Sequence, residues 1–275
     1  MPLARITRPC TMKRTILLFI PVLIGTPMIA GGAGQVRFAS AASNSPTISA
    51  SLFRPEATTP RPALVLLHPC SGLLPFMNDW AHWLQSEGYV ALVVDSFSAP
   101  GRATNVCRVG RNPTMREVAA NAFGALRFLR AQPFVDPQRV GVMGWSYGGG
   151  ASPAASRVEY RRLADGPGAT ESKGFQAAVA FYPPCQLAGA DTEIPLLMLL
   201  GAADDWTRPE RCISVGERLQ RDKRPVRLVV YPGAPHGFDQ PGPPRTSLGH
   251  HIAYDGSATA DARNQVRQFL AHVFR

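Results

Sequence analysis

Ser146 stands in Gly144-Trp145-Ser146-Tyr147-Gly148, a G-x-S-x-G pentapeptide between the apolar run at 140–144 and the helix-like GGGASPAASRVEY. A strand-to-helix turn of this kind holds its serine in a strained conformation with the hydroxyl exposed. Glycines two before and two after let neighbouring backbone approach without a Cβ clash. The Tyr147 N–H then lies at a helix start, placed to donate to an oxyanion. The competing reading is a glycine-rich turn in which Ser146 only caps the helix.

A serine nucleophile needs a base, and the base needs an acid to fix its tautomer. His236 follows the run VRLVVY and is flanked by the turn formers Gly233, Pro235 and Gly237. His250 and His251 follow no strand end, His82 and His272 fall on helix faces, and His68 precedes the serine motif in a strand-end loop. Asp204 and Asp205 follow the run at 194–201, so the order is serine, aspartate, histidine. Either aspartate could serve. Asp204 is preferred, with Asp205 facing solvent or capping the helix that begins near Arg208. A second oxyanion donor is expected from the His68-Pro69-Cys70-Ser71-Gly72 loop, at the Cys70 N–H. Trp145, Tyr147, Trp206 and Phe238 adjoin these residues and are candidate pocket walls; ordinary packing is the alternative. Arg102, Arg108 and Arg111 are candidates for a substrate carboxylate or solvated surface charges.

These residues require a scaffold that presents strand ends together. Short Val/Leu-rich runs at 63–67, 90–95, 140–144, 177–181, 194–200 and 226–231 suit a parallel sheet buried on both faces. Helical spacing occupies 76–87, 114–131 and 258–274, and TISASLFRP reads as an antiparallel edge strand. This alternation predicts a single doubly wound α/β domain, with ligands beyond the carboxyl ends of its strands.

The chain has 275 residues and a formal net charge of +10. Residues 1–41 hold five basic residues and no acid, leaving 24 basic against 19 acidic residues, a net +5, in the remainder. No block of like charge stands there, which argues against a nucleic-acid partner. Lys13 and Arg14 precede ILLFIPVLIGTPMIA, and Ala39-Ser40-Ala41 follows as an A-x-A cleavage pattern. The expected organisation is a leader at 1–41 and a mature domain at 42–275, exported to the periplasm or beyond; a retained anchor is the alternative. Cys70, Cys107, Cys185 and Cys212 permit three pairings, of which the sequential Cys70–Cys107 and Cys185–Cys212 is favoured. Each loop closed is worth roughly 3–4 kcal/mol in the chain-entropy model. No clustered Cys/His spacing suggests a metal, and the chemistry needs no cofactor.

The pieces LVLLHPCSG, GYVALVVDSF, FVDPQRVGVMGWSYGGG, FYPPC, LLGAADDWTRPERC and VYPGAPHGFD together resemble the dienelactone hydrolase family of α/β-hydrolases, from about Ser51 to Arg275. The resemblance implies that fold, and its G-x-x-D spacing from Gly201 favours Asp204 as the acid. The placement of Cys185 and Cys212 looks like an exported subgroup. Two departures stand out. The name-giving enzymes carry a cysteine where this chain has Ser146, and a glutamate where it has Pro69. The implied activity is general ester hydrolysis through an acyl-enzyme. The serine segment is also similar to secreted polyester hydrolases and cutinases. Peptidase or acyltransferase chemistry and a catalytically silent binding protein are the rivals.

Overall fold

The computed structural model describes residues 32–42, 46–97, 105–107, 113–155, 174–185 and 192–275. The leader segment 1–31 and Arg102, Arg108 and Arg111 lie outside the described residues. The strands are β1 (Gly32–Ala39), β2 (Thr47–Arg54), β3 (Arg61–Leu67), β4 (Val90–Asp95), β5 (Val135–Trp145), β6 (Ala177–Phe181), β7 (Leu196–Gly201) and β8 (Val226–Tyr231). They form one sheet in the order β1-β2-β4-β3-β5-β6-β7-β8. All neighbours from β4 to β8 are parallel, whereas β1–β2 and β2–β4 pair antiparallel. The fold is that of an α/β-hydrolase. A short hairpin of β9 (Arg245–Ser247) and β10 (His250–Ile252) stands apart from the sheet.

The helices are α1 (Pro75–Ser86), α2 (Met115–Arg130), α3 (Tyr147–Ala155), α4 (Pro209–Arg221) and α5 (Gly256–Val273). Strand alternation splits the core in two. Val65, Leu67, Val140 and Val142 pack with α2 and α3, while Leu64, Leu66, Met143 and Trp145 pack with α1 and α5. Both faces of the central strands are therefore buried, which is why those strands read as continuous apolar runs. Helix α2 starts in a capping box: the Glu117 N–H donates to Thr114 Oγ1, and the Thr114 N–H donates to the Glu117 carboxylate.

The expected boundary after Ala41 falls just beyond β1, a strand that pairs with the sheet of the domain. Every residue from Gly32 to Ala39 is in register with β2. Phe38 is buried and stacks on Phe128 of α2, and the Ala41 N–H donates to the Ala120 carbonyl. A Cβ at Gly124, in the middle of α2, would overlap the Ala39 carbonyl, so this glycine admits the end of β1. TISASLFRP is a strand as expected but not an edge, because β1 covers it.

Both disulfides pair as expected, Cys70–Cys107 and Cys185–Cys212. Among the described residues, no helix is long and apolar enough to cross a membrane.

Candidate active site

The candidate residues all lie just past the carboxyl ends of parallel strands. Ser146 follows β5, its backbone in the left-handed region at φ 51°. Its N–H donates to the Phe181 carbonyl at 2.9 Å, and its own carbonyl accepts from the Gly150 N–H at 2.9 Å. The turn is tight enough to require its glycines. A Cβ on Gly144 would overlap the Gly148 carbonyl, and one on Gly148 would overlap the Leu67 carbonyl. The serine side chain therefore stays at the floor of a cavity of about 640 Å³ that His236 also lines.

His236 Nδ1 lies 2.8 Å from Asp204 Oδ2, both groups almost wholly buried. The other carboxylate oxygen accepts the Trp206 and Thr207 N–H groups at 2.9 and 2.8 Å. Thr207 Oγ1 stands 2.8 Å from Asp204 Oδ2 and 3.1 Å from His236 Nδ1. Burial pushes the Asp204 carboxyl up. The His236 hydrogen bond and charge, with the Thr207 donors, outweigh that and hold it below its usual range. Asp204 thus both closes its own turn and meets the histidine. Asp205 instead is exposed and accepts the His251 N–H at 3.2 Å. Its other neighbour is His250 Nδ1 at 3.6 Å. It therefore holds the β9–β10 hairpin and does not cap α4.

Cys70 borders the same cavity beside Ser146, and Tyr147 opens α3. The loop carrying Cys70 is braced by His68. Its Nε2 accepts the Ser96 N–H at 3.1 Å, so Nδ1 carries the ring proton and donates to the Pro69 carbonyl at 2.8 Å. Burial lowers the pKa of His68, despite the Pro69 carbonyl and Asp95 pulling upward. A neutral His68 suits this two-ended bracing.

Of the candidate pocket walls, Trp206 lines the cavity and packs on His236 at 5.1 Å and on His250 at 4.9 Å. Trp145 and Phe238 do not line it. The β5 alternation turns Trp145 toward α1, where it is fully buried against Phe76, Trp80 and Phe181. Phe238 sits in the same layer against Phe181, Tyr182 and Tyr231.

Three features of the site were not singled out from the sequence. One is Thr207, between the acid and the base. Another is the β9–β10 hairpin, whose Arg245 to Leu248 stretch walls the cavity. The third is Asp239, three residues past His236. Its Oδ2 accepts the indole N–H of Trp80 at 2.8 Å and of Trp145 at 2.6 Å, and its Oδ1 accepts the Tyr182 hydroxyl at 2.6 Å. Tyr182 in turn packs on the His236 ring at 4.6 Å. Burial drives the Asp239 carboxyl above its ordinary range, against the pull of these three donors. Among the described residues, no group of three or more His, Cys, Asp or Glu could hold a metal ion.

The family model described as the dienelactone hydrolase family matches residues 48–274. The chain belongs to the dienelactone hydrolase family. A probable 2-oxo-3-(5-oxofuran-2-ylidene)propanoate lactonase of Bradyrhizobium sp. is 26% identical over 196 residues, covering 69% of this chain and 78% of that protein. Among solved structures, a dienelactone hydrolase-like promiscuous phosphotriesterase from metagenomic libraries aligns with a TM-score of 0.68 at 20% identity. That match covers 88% of this chain and 99% of the other. Thermogutta terrifontis esterase 2, phosphorylated by paraoxon, aligns with a TM-score of 0.61 at 18% identity, over 90% of this chain and 95% of its own. As a dienelactone hydrolase family member, the protein is a hydrolase.

Proposed function

We propose that the chain hydrolyses carboxylic esters through a Ser146–His236–Asp204 triad and an acyl-enzyme. The observation that carries this reading is the buried 2.8 Å contact of His236 Nδ1 with Asp204 Oδ2, on the wall of the cavity that Ser146 faces. Ser146 Oγ bonds to the ester carbonyl carbon as its proton passes to His236 Nε2. The Tyr147 and Cys70 N–H groups stabilise the oxyanion, worth about 3–4 kcal/mol for each donor. The C–O bond then breaks, and His236 returns the proton to the departing alkoxide. Water, deprotonated by His236, repeats the sequence and releases the acid. No hydrogen bond joins Ser146 to His236 here. Such contacts are often long in unliganded enzymes and tighten with substrate.

Family membership and the esterase phosphorylated by paraoxon make organophosphorus reagents apt probes. A fluorophosphonate should label the wild type at Ser146 and leave Ser146→Ala unlabelled, and His236→Ala should lose most turnover of p-nitrophenyl acetate. Equal labelling of Ser146→Ala would sink the mechanism.

The two disulfides fit an oxidising compartment. Export with cleavage ahead of Gly32 reconciles the leader pattern with β1.

A further inference from the structure

Ser146 lies where two cavities meet. The larger, about 640 Å³, contains His236. The smaller, about 140 Å³, contains Tyr147 and not His236. Both are bordered by Ser146, Trp206 and the Cys70–Cys107 disulfide, so these groups form the partition between them.

On the ester-hydrolase reading above, the chemistry decides which part of a substrate enters which cavity. The departing alkoxide takes its proton from His236, so the alcohol must lie on the side of the histidine. The oxyanion lies between the Cys70 and Tyr147 amides, at the partition. The remaining substituent of the tetrahedral carbon, the acyl chain, then points away from His236. From this geometry we infer that the small cavity is the acyl site and the large one the alcohol site. The substrates are short-chain acyl esters of bulky alcohols.

The dimensions agree with that division. Val106, Met115, Tyr147, Pro184, Thr207 and the disulfide line the small cavity, a mixture of apolar and polar groups. At about 30 Å³ for a group the size of a water molecule, it holds about four or five methylene-sized groups. The large cavity, lined both by polar groups such as Asn105, Gln240 and Arg245 and by apolar ones such as Leu74, Leu248 and Ile252, has more than four times the volume and takes the bulkier half of the ester. The same cavity admits the hydrolytic water beside His236 once the alcohol has left.

The test is kcat/KM of the wild type on p-nitrophenyl acetate, butanoate, hexanoate and octanoate, beside pH-stat rates on ethyl acetate and an acetylated disaccharide. The octanoate should fall at least tenfold below the butanoate, and the acetylated disaccharide should match or exceed ethyl acetate. Met115→Ala, which removes a cavity wall and no catalytic group, should raise the octanoate relative to the acetate. Val106→Leu should depress the butanoate relative to the acetate if Met115→Ala does not fold. Octanoate turnover equal to or above butanoate in a protein that labels at Ser146 overturns the cavity assignment alone. Absence of both labelling and acetate turnover defeats the ester-hydrolase reading, and this inference with it.

Discussion

The adjacent carboxylates Asp204 and Asp205 illustrate how far one peptide unit separates roles. Asp204 is buried with four polar partners, including His236, whereas Asp205 reaches the exposed hairpin. Asp204→Asn should lower kcat by about a thousandfold to ten-thousandfold through the wrong histidine tautomer. Asp205→Asn should leave kcat on acetyl esters unchanged and alter KM for bulky alcohols, since it loosens a wall of the alcohol site. Steady-state kinetics on both variants checks the split. The lowered carboxyl pKa of Asp204 also sets a sign. Its contribution to stability is complete above the unfolded value of about 3.9 and is lost as pH falls through the lower folded value. Asp204→Asn should therefore flatten that part of the acid limb in thermal melts. The three candidate triad residues were legible in the sequence because each stands among the turn formers that follow a strand. Which face Trp145 and Phe238 occupy was not legible, because strand direction at the point of exit depends on the assembled sheet.

At the scale of elements, Asp239 ties the histidine loop to α1 through Trp80, to β5 through Trp145 and to the end of β6 through Tyr182. Asp239→Ala would orphan three buried donors and should cost about 3–5 kcal/mol, read as a lower Tm. Asp239→Asn keeps an acceptor and should fold. It should also remove a pH dependence opposite to that of Asp204. With its folded pKa raised, Asp239 loses stability as pH climbs from its unfolded value toward its folded one. Melts of Asp239→Asn across that interval should lack this decline. The partners of Asp239 lie 57 to 159 residues away, so no local pattern announced them. The helices were legible to within a few residues, since capping and apolar spacing are local properties. The β9–β10 hairpin was not, because its two strands have only three residues each.

For the whole molecule, the apolar runs were enough to anticipate a parallel sheet with two covered faces. They did not show where the sheet begins, because β1 is stabilised by pairing with β2 and has only Phe38 buried. A chain starting after Ala41 would leave the β2 backbone edge unpaired, a template for association. Such a truncation should melt lower than a chain starting at Gly32 and elute as larger species in size exclusion. If the chain is exported and cleaved, N-terminal sequencing should find its first residue at or before Gly32. A mature terminus at Ala42 with an intact Tm would refute this.

The direction of β1 has a consequence for presentation. Gly32 pairs with Arg54, at the end of the sheet opposite Ser146, Asp204 and His236, and the strand runs from there toward the catalytic end. Whatever precedes Gly32 is thus attached to the rear of the molecule. An enzyme moored to a surface through that end would hold its mouth outward, open to large esters arriving from solution.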